Sequence, residues 1–531
     1  MGSYKVNPID ISIVLVYFVT VMLIGIWKGK SQSNTKEGFF LAGRKLTWPV
    51  IGASLFSTGI SSAQFVGQAG SAFALGLVVA NPQFVGGICF VLMGLFFVPI
   101  YIRMGIYTMP EFLEKRYGPE SRFIYSALSI ITLIAVRISI VLYAGALVLS
   151  EFLGIDSIFL CVLIIGVSVS VYTVIGGLSA VVYTDAIQTA MLIFGGALTL
   201  GVGLHKIGGW DVLKSTLDPS MFQLLKPMSV QAPDMPWTSV VFGLTLVSIF
   251  YCCNDQEVVQ RALGAKNEFH AKMGGIFAGF LKIVAMFVIV LPGLVAKVLF
   301  PDAMPDKAYS IMILNILPIG ISGLVLAGLL AAIMSSLDSA FCATSSIVTM
   351  DFYQKFKKNA SDKQLVLFGR VLGCVIFGIS MLWAPYIQKF GLLYIYLLKY
   401  YAYISSPFVA CFVFGILCKR VNRAGAAATL VSGLLLGFSL MVATSTPSLK
   451  SHLPDWIVNM HFYHLNIWLF LIATGTLFGV SYLTRPPTKA QIAVLSLRGA
   501  GDLSVRPWFA NEKLWALVFF LCIIVMYIYF R

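Results

Sequence analysis

Apolar segments of about 20 residues follow one another along nearly the whole chain, and this repetition constrains the fold more than any other feature. A helix needs about 20 apolar residues to cross the hydrocarbon core of a bilayer. Lipid leaves irregular backbone unsatisfied, so spanning segments of this kind are helical. We therefore predict an all-α polytopic membrane protein with about fourteen transmembrane helices, near residues 9–27, 48–70, 77–102, 123–152, 157–177, 186–205, 237–256, 271–299, 317–347, 366–384, 388–417, 423–444, 462–484 and 513–530.

The distribution of positive charge predicts the orientation of these helices. Lys and Arg number 37 together, and about 25 of them lie in or beside the odd-numbered loops. Cytoplasmic loops carry an excess of Lys and Arg, so we predict cytoplasmic odd-numbered loops and both termini outside, in the plasma or inner membrane of a cell. The net charge of +15 then reflects topology, and we predict the lipid bilayer, not nucleic acid, as a partner.

One predicted span is polar and interrupted. Gly52–Gly70, GASLFSTGISSAQFVGQAG, combines four glycines with seven Ser, Thr and Gln side chains. Such backbone is tolerated at membrane depth only inside a bundle or beside a wet cavity, and a glycine-interrupted span points to a transporter's binding site. The alternative is a close-packed interface of small residues. A second polar interruption, Ser248–Arg261, follows in the span 237–256, and two broken helices that each open a group of five fit an inverted repeat.

Four charged residues lie inside predicted spans or at their ends, where charge is costly and usually functional. Arg137 and Lys282 either line a cavity or form ion pairs within the bundle. Asp185, near the start of the span 186–205, either binds a cation or caps the helix N-terminus. Asp338 lies on a helix face that recurs every three or four residues and carries Ser335, Ser336, Ser339, Ser345 and Ser346.

That serine-rich face has two interpretations. Hard cations take several oxygen ligands, and hydroxyl groups together with carbonyls freed from an unwound helix can supply them to sodium. The alternative is an interface of small polar residues between helices. The carboxylate of Asp338 favours the cation site, because an interface of small residues does not require a charge.

Three other functional classes fit less well. The chain has five His residues, and His461 and His464 have no carboxylate or Cys close by in sequence. It has no glycine-rich phosphate loop and no nucleophile elbow, so we predict no enzyme. A channel needs repeated filter elements, which the sequence lacks. A transport-derived solute sensor, which would normally carry a signalling domain, is the remote alternative.

Several longer motifs resemble the sodium:solute symporter family, including the sodium/glucose cotransporters. They are Gly52–Gly70, Phe97–Gly118 (FVPIYIRMGIYTMPEFLEKRYG), Tyr172–Gln188 (YTVIGGLSAVVYTDAIQ), Asp255–Asn267 (DQEVVQRALGAKN), Ala331–Ser339 (AAIMSSLDS) and Thr349–Phe356 (TMDFYQKF). The resemblance implies a LeuT-like core of five-plus-five inverted repeats over 48–417, with repeats 48–205 and 237–417. It implies flanking parts at 1–47 and 418–531, and uptake of a sugar or sugar-like solute driven by inward sodium flow through alternating access.

The resemblance also implies where sodium, the coupling ion, binds. The family's shared site corresponds to backbone carbonyls of Ser57, Ile60 and Ala332 and to the hydroxyls of Ser335 and Ser336. A second cation site, present in some members, corresponds to Ser61, Asp185, Asp338 and Ser339. Many relatives have a hydroxyl or a small residue where this chain has Asp338, so this carboxylate either strengthens the second site or binds a proton.

The solute pocket departs from the glucose and galactose pattern. A family Asn is Gly59 here, the acidic residue that binds a sugar hydroxyl is Gln83, and a Trp beside the retained Tyr251 is Cys252. Among the cavity-lining positions of relatives, those that are polar here are occupied by Gln64, Arg137, Lys282 and Lys399, the last in place of a Gln.

These departures remove a negative group and add a positive one. Arg137 lies where sialic acid symporters place a carboxylate-binding Arg, and Arg binds carboxylates bidentately. We therefore hypothesise an anionic sugar, such as a sialic acid or a uronate. A neutral hexose or a polyol such as inositol is the alternative, since Gln64, Tyr251 and Lys282 all hydrogen-bond hydroxyl groups.

Overall fold

The computed structural model describes residues 7–30, 35–60, 62–228, 235–390, 393–496 and 507–531. Within these ranges every regular element is a helix, and none is a strand. Eleven of the described helices are long and apolar enough to cross a membrane: Pro8–Gly29, Leu77–Met104, Pro119–Ser150, Thr173–Ile207, Glu268–Leu299, Ile321–Phe356, Asp362–Ile387, Tyr396–Leu417, Arg423–Ser445, Phe462–Leu483 and Glu512–Tyr529. The prediction of an all-helical membrane protein is confirmed at this level.

Two predicted spans take a different form. The span 48–70 consists of two short helices, Trp48–Thr58 and Ser62–Leu75, and we call Gly59 and Ile60, which lie between them, the helix break. The span 237–256 is the shorter apolar helix Ser239–Asn254. It is followed by Gln256–Leu263, which we call the polar helix and which starts where the side chain of Asp255 accepts a hydrogen bond from the amide of Glu257.

A loop expected between the spans 157–177 and 186–205 is absent. Two helices meet without a loop at Gly177, within Ile158–Ile207, where φ is 58° and the backbone is not helical. A side chain at Gly177 would place its Cβ 2.6 Å from the ring of Phe39, so glycine suits both the backbone angle and the close packing. Asp185 lies eight residues after Gly177, inside the second of these helices, and the alternative that it caps a helix N-terminus is wrong.

The helices differ sharply in burial. In Ile321–Phe356, 89% of the most apolar stretch is buried, against 17% in Pro8–Gly29 and in Glu512–Tyr529. The segment Ile321–Ile347, which we call the serine helix, is thus central, and the first and last helices are peripheral. A helix hydrophobic on all sides with exposed apolar residues is suited to contact with lipid.

Small residues bring the central helices close together. A Cβ on Gly52 would lie 2.6 Å from the ring of Phe277, and one on Gly274 would lie 2.6 Å from Ile51. The helices Trp48–Thr58 and Glu268–Ala285 therefore pack through glycines, as membrane helices commonly do. Gly52 thus belongs to a close-packed helix interface, which was the alternative interpretation of Gly52–Gly70. The polar residues that follow it lie at the site described next.

Candidate functional site

The helix break faces the serine helix through a chain of buried hydroxyl groups. The Ser57 hydroxyl donates to Ser335 Oγ at 2.7 Å, and the Ser335 hydroxyl donates to Asp185 Oδ1 at 2.6 Å. Ser336 is buried as well, and its hydroxyl has no hydrogen-bond partner among the described residues. Ile60 and Ala332 are fully buried, in the break and in the serine helix respectively. Unsatisfied buried hydroxyls are uncommon, and oxygen-rich surroundings suit a hard cation.

The second predicted cation set surrounds an arginine. Arg261 of the polar helix donates from Nε to Ser54 Oγ at 3.1 Å and from Nη2 to the Ser339 hydroxyl, and Nη2 lies 3.8 Å from Asp185 Oδ2. Ser54 donates in turn to Asp185 Oδ2 at 2.5 Å. Asp185 and Arg261 are fully buried, so each neutralises the other.

The other two members of that set are placed less directly. Asp338 is fully buried on the serine helix, with its Oδ1 3.4 Å from Ser339 Oγ. Ser61 lies outside the described residues. The described residues thus place a positive guanidinium beside two of the four groups proposed to bind a second cation.

A small cavity of about 60 Å³ lies beside the helix break. Five of the six side chains predicted to bind solute line it: Gln64, Gln83, Arg137, Tyr251 and Lys282. They come from widely separated parts of the sequence, and the remaining wall is contributed by Pro82, Gly86, Leu244, Val247, Ser248, Cys252, Leu397, Leu398 and Tyr401.

Arg137 is held at the edge of this cavity by an ion pair. Its Nε lies 3.0 Å from Glu257 Oε2, and both residues are buried. Its Nη2 also donates to the Thr58 carbonyl and to the Tyr251 hydroxyl, each at 3.1 Å. Glu257 belongs to the polar helix and does not line the cavity. The positive charge that suggested a carboxylate-binding site is therefore already neutralised within the protein.

Lys282 lies in the cavity wall with neutral partners. Its Nζ donates to Gln83 Oε1 at 2.8 Å and to the Gly59 carbonyl at 3.1 Å. Gln83 continues the chain by donating to Gln68 Oε1 at 2.6 Å. No carboxylate of the described residues forms an ion pair with Lys282. Of the two charged side chains found in the described part of the cavity wall, Arg137 has an opposite partner and Lys282 has neutral ones.

Lys399 does not reach the cavity. Its helix contributes Leu397, Leu398 and Tyr401 to the wall instead. The basic side chains of Lys450 and His461 lie near Lys399. Consecutive residues of a helix point in directions about 100° apart, as expected for 3.6 residues per turn, so an error of one residue in the sequence register is enough to misplace this side chain.

Sequence reasoning gave no role to Glu257, Arg261 and Tyr401. Glu257 and Arg261 were visible within the motif Asp255–Asn267, and they are four residues apart, on one helix face. A buried Arg137 demands a carboxylate partner, and Glu257 was an available one in a polar segment near a predicted break. Tyr401 carried no signal, because it lies in a row of tyrosines that apolar packing also explains.

Comparisons with known proteins agree with one another. The model of the sodium:solute symporter family matches residues 39–433. Sodium/glucose cotransporter 1 of Ovis aries is 36% identical over 530 residues, covering 90% of this chain and 79% of the relative. The sodium/myo-inositol cotransporter of Homo sapiens is 36% identical over 548 residues, covering 94% of this chain and 76% of the relative.

Two solved structures share the fold. A Na⁺-coupled sialic acid symporter in a substrate-bound outward-open state aligns with a TM-score of 0.78 at 22% identity, covering 90% of this chain and 99% of its own. Mhp1, a nucleobase-cation-symport-1 family transporter in a closed conformation, aligns with a TM-score of 0.55 at 15% identity, covering 88% of this chain and 99% of its own. At these identities the likeness concerns the fold alone.

Proposed function

Because the chain belongs to the sodium:solute symporter family, and is thus a sodium-coupled solute symporter and not an enzyme, we propose that it carries a neutral, polyhydroxylated solute such as a hexose or a polyol. One observation supports this choice over the anionic sugar: Arg137 is neutralised by Glu257 at 3.0 Å. A solute carboxylate would have to displace Glu257 and leave a buried charge unpaired, which is costly. The relatives described as glucose and myo-inositol cotransporters favour the same solute class.

In this proposal the polar side chains of the cavity bind solute hydroxyl groups. Gln64, Gln83 and Tyr251 each offer a donor or an acceptor, and Lys282 offers donors only. A site built to hydrogen-bond hydroxyl groups rejects analogues that lack them, because its buried polar groups are then left unpaired. Lys399 is not part of the proposed site.

Sodium binds, in this proposal, between the helix break and the serine helix. The ligands are the carbonyls of Ser57, Ile60 and Ala332 and the hydroxyls of Ser335 and Ser336. The buried Ser336 hydroxyl without a described partner supports the site. A second cation at Ser61, Asp185, Asp338 and Ser339 would have to displace the Arg261 guanidinium, so we propose a single sodium in the conformation described.

The same proposal extends to the architecture. It comprises about fourteen transmembrane helices, an inverted-repeat core over 48–417 with repeats 48–205 and 237–417, and peripheral parts at 1–47 and 418–531. Two interrupted helices that contribute to one cavity support the repeat. We place the protein in the plasma or inner membrane with both termini outside, in accordance with the positive charge of the odd-numbered loops.

An anionic sugar remains the second candidate, on the strength of Lys282. This residue has no carboxylate partner among the described residues, and the acidic residue that the family resemblance implies is Gln83 here. A solute carboxylate bound by Lys282 would leave the Arg137–Glu257 pair intact.

The experiment that separates these candidates is uptake into proteoliposomes under an inward sodium gradient. We would compare labelled glucose, galactose, myo-inositol, a uronate and N-acetylneuraminate, with choline replacing sodium as the control. We expect sodium-dependent accumulation of a neutral solute. Accumulation of an acidic sugar alone would support the second candidate, and accumulation of none would contradict both solute assignments.

A further inference from the structure

Lys282 contacts both the cavity wall and the helix break. One of its donors reaches Gln83 in the cavity wall at 2.8 Å, and another reaches the Gly59 carbonyl in the helix break at 3.1 Å. The residue is 4% exposed. A single flexible side chain thus touches both the wall that faces the solute and the backbone that leads to the proposed sodium ligands.

The carbonyl groups of the break are divided between two kinds of partner. The Thr58 carbonyl accepts from Arg137 at 3.1 Å and from the Tyr251 hydroxyl at 3.4 Å, and the Gly59 carbonyl accepts from Lys282. The flanking carbonyls, those of Ser57 and Ile60, are the ones proposed to bind sodium. Consecutive carbonyls along one short stretch of backbone therefore face the cavity groups and the proposed cation site in turn.

Glycine at position 59 is explained by this contact. Its φ is −79°, which any residue adopts, so the backbone does not require glycine there. A Cβ at this position would lie 2.9 Å from Lys282 Nζ, closer than Cβ contacts normally come. The missing side chain leaves the space that the ammonium group occupies when it reaches the Gly59 carbonyl.

We propose that Lys282 is the positioning residue through which solute binding changes sodium affinity, an inference that rests on the proposed function. Without solute, the ammonium on the Gly59 carbonyl opposes a second positive charge on the neighbouring carbonyls. A solute in the cavity takes hydrogen bonds from Lys282 and draws the ammonium away from the break, so sodium binds more tightly. Linkage requires that sodium raises solute affinity by the same factor.

The test measures binding of radioactive sodium to the purified protein in detergent, first without any solute. We expect Lys282→Met to bind sodium about tenfold more tightly than the unaltered protein, a typical size for coupling between sites. Gly59→Ala keeps the charge but pushes the ammonium away from the carbonyl, and should shift sodium affinity in the same direction by about threefold. Lys297→Met is the matched control, because Lys297 is half-buried in the same long helix and contacts Phe73 rather than the break.

The second measurement repeats sodium binding with a saturating concentration of glucose, galactose or myo-inositol, whichever of them the unaltered protein accumulates. The solute should tighten sodium binding severalfold in the unaltered protein and in Lys297→Met, and have no effect in Lys282→Met. A merely structural role for Lys282 predicts weaker sodium binding in a less stable protein, which is the opposite shift.

The outcomes separate the two proposals. Equal or weaker sodium binding by a monodisperse Lys282→Met protein would overturn the coupling role while leaving the symporter assignment intact. An unaltered protein that neither binds sodium nor shows sodium-dependent uptake would overturn the proposed sodium site and, with it, this inference.

Discussion

Two buried cations border the cavity, and the surrounding protein gives them different kinds of partner. Arg137 and Lys282 each donate to a carbonyl of the same short segment, at Thr58 and Gly59, both at 3.1 Å. Arg137 is paired with the carboxylate of Glu257, whereas the partners found for Lys282 are neutral oxygens. The paired cation is a fixed part of the structure, and the unpaired one is free to change partners when a solute arrives.

The physical reason lies in the energetics of buried charge. Removing a partner from a buried ion pair leaves an uncompensated charge, so Glu257 and Arg137 stabilise the fold as a unit. A single ammonium with neutral acceptors exchanges its hydrogen-bond partners more easily. It is stabilised when a solute oxygen replaces one of them. Whether a buried charge is structural or functional therefore depends on the neighbouring charges and not on the residue type.

The largest expected effect is on stability at the paired cation. Glu257→Gln should lower the free energy of unfolding by about 3–5 kcal/mol, because it leaves Arg137 buried and unpaired. Thermal unfolding in detergent measures this loss. The double variant Glu257→Gln with Arg137→Met should recover much of it, and a double variant as unstable as the single one would contradict the pairing.

A matched control for that loss is Glu268→Gln. Glu268 pairs with Arg103 at 2.6 Å, but both side chains are partly exposed. Water then compensates the remaining charge, so we expect a loss of only about 1 kcal/mol or less.

The second prediction concerns the unpaired cation. Lys282→Met should raise the solute concentration for half-maximal uptake by about 10- to 100-fold, because a hydrogen bond to a charged group contributes about 1.5–3 kcal/mol. Its thermal stability should fall much less than that of Glu257→Gln, since no opposite charge is left buried. Uptake kinetics and thermal unfolding, carried out on the same preparation, measure the solute dependence and the stability. Equal destabilisation by Lys282→Met and Glu257→Gln would contradict the difference between the unpaired and the paired cation.

The third prediction compares two serines of the serine helix. Ser336→Ala should raise the sodium concentration for half-maximal uptake by about tenfold, the loss of roughly one hydrogen-bond-sized interaction of about 1.4 kcal/mol. Ser345→Ala is the control, because Ser345 is equally buried and also lacks a described hydrogen-bond partner, yet lies outside the proposed site. Equal shifts in both variants would argue against a cation site at Ser336.

The smallest effect is expected at Glu114, a carboxylate that is partly exposed to water. Burial raises the pKa of Glu114, but hydrogen bonds from Lys355 and Arg122 outweigh it and hold the pKa below its ordinary value of 4.5. A lowered carboxyl pKa contributes stability that is present above the ordinary pKa and is lost as pH falls through the folded-state value. The thermal midpoint should therefore drop slightly below about pH 4.5, and less so in Glu114→Gln. An identical pH profile for both proteins would contradict this contribution.

Sequence reasoning predicted much of the protein, because hydropathy and chain breaks are local properties. The long apolar segments, the interrupted span at Gly52–Gly70 and the family resemblance were all readable from neighbouring residues, and the structure and the family match confirm the helical membrane fold and the family. The five cavity side chains that the structure brings together came from the resemblance, since their positions span the sequence from Gln64 to Lys282.

Only the tertiary structure decided which charges are neutralised. The partners in the Arg137–Glu257 pair are 120 residues apart, and Arg261 meets Ser339 across 78 residues, so no local pattern identifies them. The same holds for Lys399, whose direction depends on helix rotation, and for Asp185, whose place inside a helix depends on where the break at Gly177 starts that helix. The sequence alone determined that the chain crosses the membrane and that the span containing Gly52–Gly70 breaks, because burial of apolar groups and irregular backbone are local demands. Packing between distant helices decides which cation remains without an opposite charge and can hydrogen-bond a solute.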